Sequence, residues 1–144
     1  MKENIIIGLQ ATDRNDAIMK IVQLLVTNGH VKETYYDSVV AREEIYPTGL
    51  PTEGVRIAIP HASSEDIIES TIGMAILETP VVFNNMADDS EELDVKIVFL
   101  IANAASTEQP KILKQLMEKF SDEDLLISLS ESQSAEVVMD LIGS

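Results

Sequence analysis

Strand-length apolar runs alternate with segments of helical periodicity along the chain. This predicts a single-domain α/β fold, a mixed parallel and antiparallel sheet flanked by helices on both faces. Two further observations support it. No linker, repeat or low-complexity segment divides residues 1–144, and that length suits one domain burying about two-thirds of its unfolded surface. The 45% apolar and 24% charged content match an ordinary globular protein.

Asn4 to Leu9 is a short β-branched run and reads as the first strand. Asp13 to Asn28 carries Ala17, Ile18, Ile21, Val22, Leu24 and Leu25 at helical spacing, and Gly29 is a natural C-terminal stop. Glu33 to Ile45 reads as a second helix, with Tyr36, Val39 and Val40 on one face. Tyr46 to Gly54 is dense in turn formers and is expected to be a loop. Strands follow at Val55–Ile59, Thr71–Leu77 and Leu93–Ile101, with a short one at Val81–Phe83. Helices near Thr107–Phe120, Asp122–Leu129 and Ser134–Leu141 close the chain. Crossover helices between strands imply a sheet covered on both faces.

Charge excludes several function classes. With 25 acidic against 10 basic residues, net −15, the chain lacks the basic patch that nucleic acid binding needs. Aromatic residues make up only 4%, too few for a base-stacking platform. Anionic membrane surfaces are disfavoured by the same charge, and no apolar run approaches the roughly 20 residues of a membrane span. The N-terminus has no signal-peptide pattern, so a cytoplasmic protein is expected. The absence of cysteine removes disulfides, thiolate catalysis and zinc–thiolate sites together.

The remaining chemistry is narrow. Two separated histidines and no Asp-x-Asp-x-Asp-Gly loop give no metal site, and no cofactor is called for. The acidic run from Asp88 to Glu92 reads as a solvated loop. There is no Gly-x-Ser-x-Gly elbow and no phosphate-cradling Gly-rich loop. His30, following Gly29, suits a helix C-terminus.

His61 stands in a different setting. The run Val55-Arg56-Ile57-Ala58-Ile59 stops at Pro60, which lacks an N–H and holds Ile59 extended, so His61 is expected at the rim of a sheet on rigid backbone. Alternation puts Arg56 on the face opposite Ile57 and Ile59, towards solvent or a partner, and outside the site. Taken alone, a histidine after a strand is more often structural.

Its neighbours occur in a fixed order: Ala41-Arg42-Glu43, then Thr48-Gly49, then Ile57-Ala58-Ile59-Pro60-His61. This order resembles the fructose–mannitol type of enzyme IIA in the bacterial phosphoenolpyruvate-dependent sugar phosphotransferase system. There, an "Arg-Glu … Thr-Gly … Ile-Ala-x-Pro-His" pattern surrounds the histidine that carries the phosphoryl group. The resemblance covers essentially the whole chain. Two departures from the mannitol pattern look more like the galactitol-type branch. The stretch from Arg42 to His61 is longer, and Gln109 stands where mannitol-type proteins place a second histidine. Ser106-x-x-Gln109 also fits a capping box, so both roles remain open for Gln109.

The resemblance implies a phosphocarrier. The small protein HPr would present a phosphohistidine, His61 would accept the phosphoryl group, and a cysteine of the cognate IIB component would take it onward. Sugar enters through the IIC permease downstream. Imidazole suits such a relay because it is nucleophilic when neutral and leaves readily from its phosphoryl adduct. Arg42 is expected to neutralise charge on the transferring group, since guanidinium matches phosphate oxygens in a bidentate fashion. The Thr48 hydroxyl and the Gln109 amide are candidate further donors. The acidic surroundings are expected to raise the His61 pKa, with Arg42 opposing. A regulatory role like that of the nitrogen-related enzyme IIA is the alternative implied by the same fold. Without the resemblance, a binding protein with an incidental histidine also remains open.

Overall fold

The computed structural model describes the backbone of residues 2–104 and 109–143, and the side chains of 2–104 and 114–142. A 3-10 turn at Lys2–Asn4 leads into strand β1 (Ile5–Leu9) and helices α1 (Arg14–Thr27) and α2 (Tyr35–Ile45). Strands β2 (Gly49–Leu50), β3 (Arg56–Ala58), β4 (Thr71–Asn84) and β5 (Glu92–Ala102) follow. Helices α3 (Gln109–Lys119), α4 (Glu123–Ser130) and α5 (Ala135–Gly143) end the chain.

Among the described residues, five strands form one sheet in the order β1-β4-β5-β3-β2. β1 runs parallel to β4 and β3 parallel to β5, while β4–β5 and β2–β3 are antiparallel. The sheet is therefore mixed, as expected.

Strand alternation divides the core between the two faces. Ala58, Ala75, Leu77, Val98 and Leu100 pack with Ile18, Ile21 and Leu25 of α1 and Tyr35 and Val39 of α2. Ile57, Ile59, Met74, Ile76, Ile97 and Phe99 face the other way, against Leu116 and Phe120 of α3, Leu126 and Leu129 of α4, and Val138 of α5. The expected two-sided cover is present. Among the described residues, no helix is long and apolar enough to cross a membrane.

α1 ends as its sequence predicts. Gly29 adopts φ +80°, and the amides of Gly29 and His30 donate to the carbonyls of Val26 and Leu25, the paired bonds of a Schellman cap.

Four expectations are corrected. Asn4 belongs to the opening turn, where its buried amide donates to the Thr71 hydroxyl, so β1 starts one residue later. Thr71–Leu77 and Val81–Phe83 are one strand, with a register shift between Ile76 and Val81. Pro80 sits in that interruption, where its missing N–H leaves no ladder bond unmade. The buried stripe of α2 is Tyr35, Val39 and Glu43, while Tyr36 and Val40 are only partly covered. Within the expected 46–54 loop, Gly49–Leu50 pairs with Ala58–Ile57. A Cβ at Gly49 would lie 2.6 Å from the Asn84 carbonyl oxygen, so only glycine permits this close approach.

Candidate functional site

The end of β3 continues past the strand as a pinned segment. The Ile59 amide donates to the Thr48 carbonyl at 3.2 Å, and the Ile101 amide donates to the Pro60 carbonyl at 3.0 Å. His61 then pairs with Ile101 as an isolated parallel bridge. The proline ends the β3 ladder without freeing the chain, so the His61 backbone is held between two neighbours.

The imidazole is held as well. Its Nδ1 lies 2.7 Å from the Ile59 carbonyl oxygen. A carbonyl only accepts, so Nδ1 carries the proton and Nε2 keeps the lone pair. The half-buried ring has a pKa lowered from its ordinary value. Burial is the foremost cause and the Arg42 charge adds to it, while the Ile59 bond works in the opposite direction. This corrects the expected upward shift. Dehydration of the ring outweighs the many carboxylates, which are mostly exposed and screened by solvent.

Arg42, Thr48 and His61 line one cleft of about 610 Å³. The Arg42 guanidinium lies 5.0 Å from the centre of the Tyr46 ring, a cation–π contact that holds an exposed side chain over the cleft. Among the described residues, no carboxylate lies within ion-pair distance of it. Asp88 and Asp89 also line this cleft. That acidic loop is tied into a turn, with the Ser90 backbone amide and hydroxyl donating to Asp88 Oδ1 and the Asn85 side-chain Nδ2 donating to Glu91 Oε1. Arg56 is exposed on β3, as alternation predicts.

Thr48 is buried, and its hydroxyl donates to Glu43 Oε1 at 2.7 Å while its amide donates to Glu43 Oε2 at 2.7 Å. The hydroxyl proton expected to serve a phosphate is thus directed into the protein. Gln109 opens α3, but its side chain lies outside the described residues, as does Ser106. His30 is elsewhere, buried near Glu69 Oε1 (3.3 Å from Nδ1) and Glu3 Oε1 (3.8 Å from Nε2).

Two residues around the site have roles that the sequence does not assign: Glu43, present in the motif without one, and Tyr35. Glu43 is 1% exposed, and burial raises its pKa above the ordinary value, against the two Thr48 bonds and the charges of Arg14 and Arg42. Tyr35 is fully buried, donating its hydroxyl to the Ile101 carbonyl at 3.0 Å and accepting the Ala62 amide at 3.3 Å. Dehydration pushes its pKa up to about 12, so it stays a donor. The available signal was spacing: Tyr35, Val39 and Glu43 recur every four residues, which places a carboxylate on an apolar stripe.

Comparison with known proteins is consistent with this geometry. The profile of the family described as "Phosphoenolpyruvate-dependent sugar phosphotransferase system, EIIA 2" matches residues 1–144. The galactitol-specific EIIA component of Escherichia coli K12 is 30% identical over 132 residues, 90% of this chain and 87% of that protein. The mannitol-specific enzyme IIA component of Halalkalibacterium halodurans is 30% identical over 144 residues, 98% of this chain and 92% of that protein. Among solved structures, the Escherichia coli complex of mannitol enzyme IIA with phosphorylated enzyme IIB superposes with a TM-score of 0.82. It is 26% identical, covering 98% of this chain and 94% of that one.

Proposed function

The chain belongs to the EIIA 2 family of the phosphoenolpyruvate-dependent sugar phosphotransferase system, and from that premise we propose that His61 is its phosphoryl acceptor. The observation that carries this is the Nδ1–Ile59 bond, which leaves a neutral, oriented Nε2 in a cleft beside Arg42. Nε2 attacks the phosphorus of phospho-HPr in line, the donor's P–N bond breaks as the new one forms, and the HPr imidazole leaves. Nδ1 keeps its proton throughout. Its bond to the Ile59 carbonyl strengthens as the ring takes on positive charge. Arg42 swings from the Tyr46 face to the transferring oxygens, where positioning and charge neutralisation do most of the work.

The phosphoryl group then passes to a cysteine of a IIB component. The structural likeness to an enzyme IIA seen in complex with phosphorylated IIB supports that partner. The likeness to a galactitol-specific component supports a polyol of that kind as the transported solute. Both protein partners use one face. Ile45, Tyr46 and Met86 are 66%, 60% and 43% exposed around the cleft, next to Asp88 and Asp89. This face suits partners that bring apolar and basic groups, so association weakens as salt rises.

The test is incubation with phosphoenolpyruvate, enzyme I and HPr, followed by mass analysis. The expected product is an acid-labile adduct of one phosphoryl mass that is lost in His61→Ala. No adduct on the wild type would end this reading.

A further inference from the structure

We propose that Glu43 is the positioning residue of this site, setting the His61 ring through a chain of hydrogen bonds that crosses from α2 to β3. The proposal rests on the phosphocarrier reading, and it adds a residue that touches no reacting atom. This hydrogen-bond chain has three links. Both Glu43 oxygens accept from Thr48, one from its amide and one from its hydroxyl, each at 2.7 Å. The Thr48 carbonyl accepts the Ile59 amide at 3.2 Å. The Ile59 carbonyl accepts His61 Nδ1–H at 2.7 Å.

A carboxylate placed at 1% exposure is costly to dehydrate, and it persists in a fold only where its oxygens are satisfied. Here both are satisfied by one residue, so the two bonds fix Thr48 in position and orientation rather than merely neutralising a charge. Thr48 immediately precedes β2, and β2 pairs with β3 through Gly49–Ala58 and Leu50–Ile57. So short a ladder does not hold a register by itself. Gly49 is also bridged to Asn85, and Pro60 and His61 are held by Ile101. Clamping Thr48 to α2 adds the constraint on the β2 side, through the bond that the Thr48 carbonyl accepts from the Ile59 amide. The Ile59 carbonyl selects the Nδ1–H tautomer and so directs the lone pair to Nε2. Arg42 precedes Glu43 on the same helix, so one turn of α2 holds both the charge-neutralising group and the clamp.

The experiment reads the His61 ring directly. Nitrogen-resolved NMR on the full chain, above the titration range of His61 and without any phosphoryl donor, gives the share of Nδ1–H tautomer. Phosphoryl acceptance from phospho-HPr gives kcat and KM. The wild type holds its proton at Nδ1. Glu43→Met fills the space without an acceptor; there the Nδ1–H share falls several-fold and kcat about tenfold, with KM within about twofold. Glu43→Gln accepts the Thr48 amide and donates to its hydroxyl, and restores both readouts to within about threefold. Should Glu43→Met not fold, Thr48→Val removes one of the two clamp bonds and shifts the tautomer in the same direction. An unchanged Nδ1–H share in whichever of these folds overturns the proposal. Failure of the wild type to take a phosphoryl group sinks the phosphocarrier reading instead, while the ring measurement still decides Glu43.

Discussion

Tyr35 and Glu43 stand two turns apart on the buried stripe of α2 and hold opposite ends of the segment that carries His61. Tyr35 takes the amide of Ala62, just after the histidine, and Glu43 takes Thr48, whose carbonyl holds Ile59 just before it.

The lowered His61 pKa means that the folded state prefers the neutral ring. Below the ordinary value of about 6.5 the unfolded chain binds the proton more readily, so stability falls as pH drops from there through the folded pKa and is level above. Acceptance of a phosphoryl group follows the same neutral fraction. We expect an NMR titration midpoint for His61 below 6.5, with the rate falling on the acid side of that midpoint only. A midpoint above 6.5 would show that burial is not the dominant influence on the ring.

Arg42→Ala removes both the charge that helps depress the His61 pKa and the guanidinium beside the cleft. We expect the His61 midpoint to rise and acceptance from phospho-HPr to slow by about tenfold or more, with a shorter-lived phosphohistidine. Because Arg42 is exposed, thermal stability should change by less than about 0.5 kcal/mol. Labelling at the wild-type rate would remove Arg42 from the site.

Tyr35→Phe deletes one hydroxyl that serves two buried backbone groups, the Ile101 carbonyl and the Ala62 amide. Each is left without its partner, at about 1–3 kcal/mol for a buried orphan. Urea unfolding should show a loss of that order at unchanged m-value, and hydrogen exchange at Ala62 should accelerate. Protection of the Ala62 amide equal to wild type would show that the Tyr35 bond does not anchor this segment.

Legibility in the sequence varied with the range of the interaction. The Schellman cap at Gly29 depends on its own helix turn, and Gly29 announces it. Pro80 interrupts the β4 run locally, so residue order shows two short strands; the β5 partner, which tolerates a register shift there, carries the strand through. β2 looks like a loop in residue order because Pro47, Gly49 and Pro51 are turn formers locally. Its strand character comes from β3 and from the Gly49–Asn84 approach, neither visible from residue order.

The same division holds at the site. Residue types and their order were enough to identify the strand ending in Pro60-His61, the Arg42-Glu43 and Thr48-Gly49 neighbours, and the family they resemble. Tertiary structure decided the rest. It turned the Thr48 hydroxyl inward to Glu43, brought Tyr35 against Ala62, and lowered a pKa that net charge alone would have raised. The reason is physical: strand ends and motifs are properties of neighbours along the chain. Hydration and hydrogen-bond partners depend on the folded surroundings. Tyr35 and Ala62 are 27 residues apart, and even Glu43 and Thr48, five apart, are dehydrated only because α2 packs under the sheet.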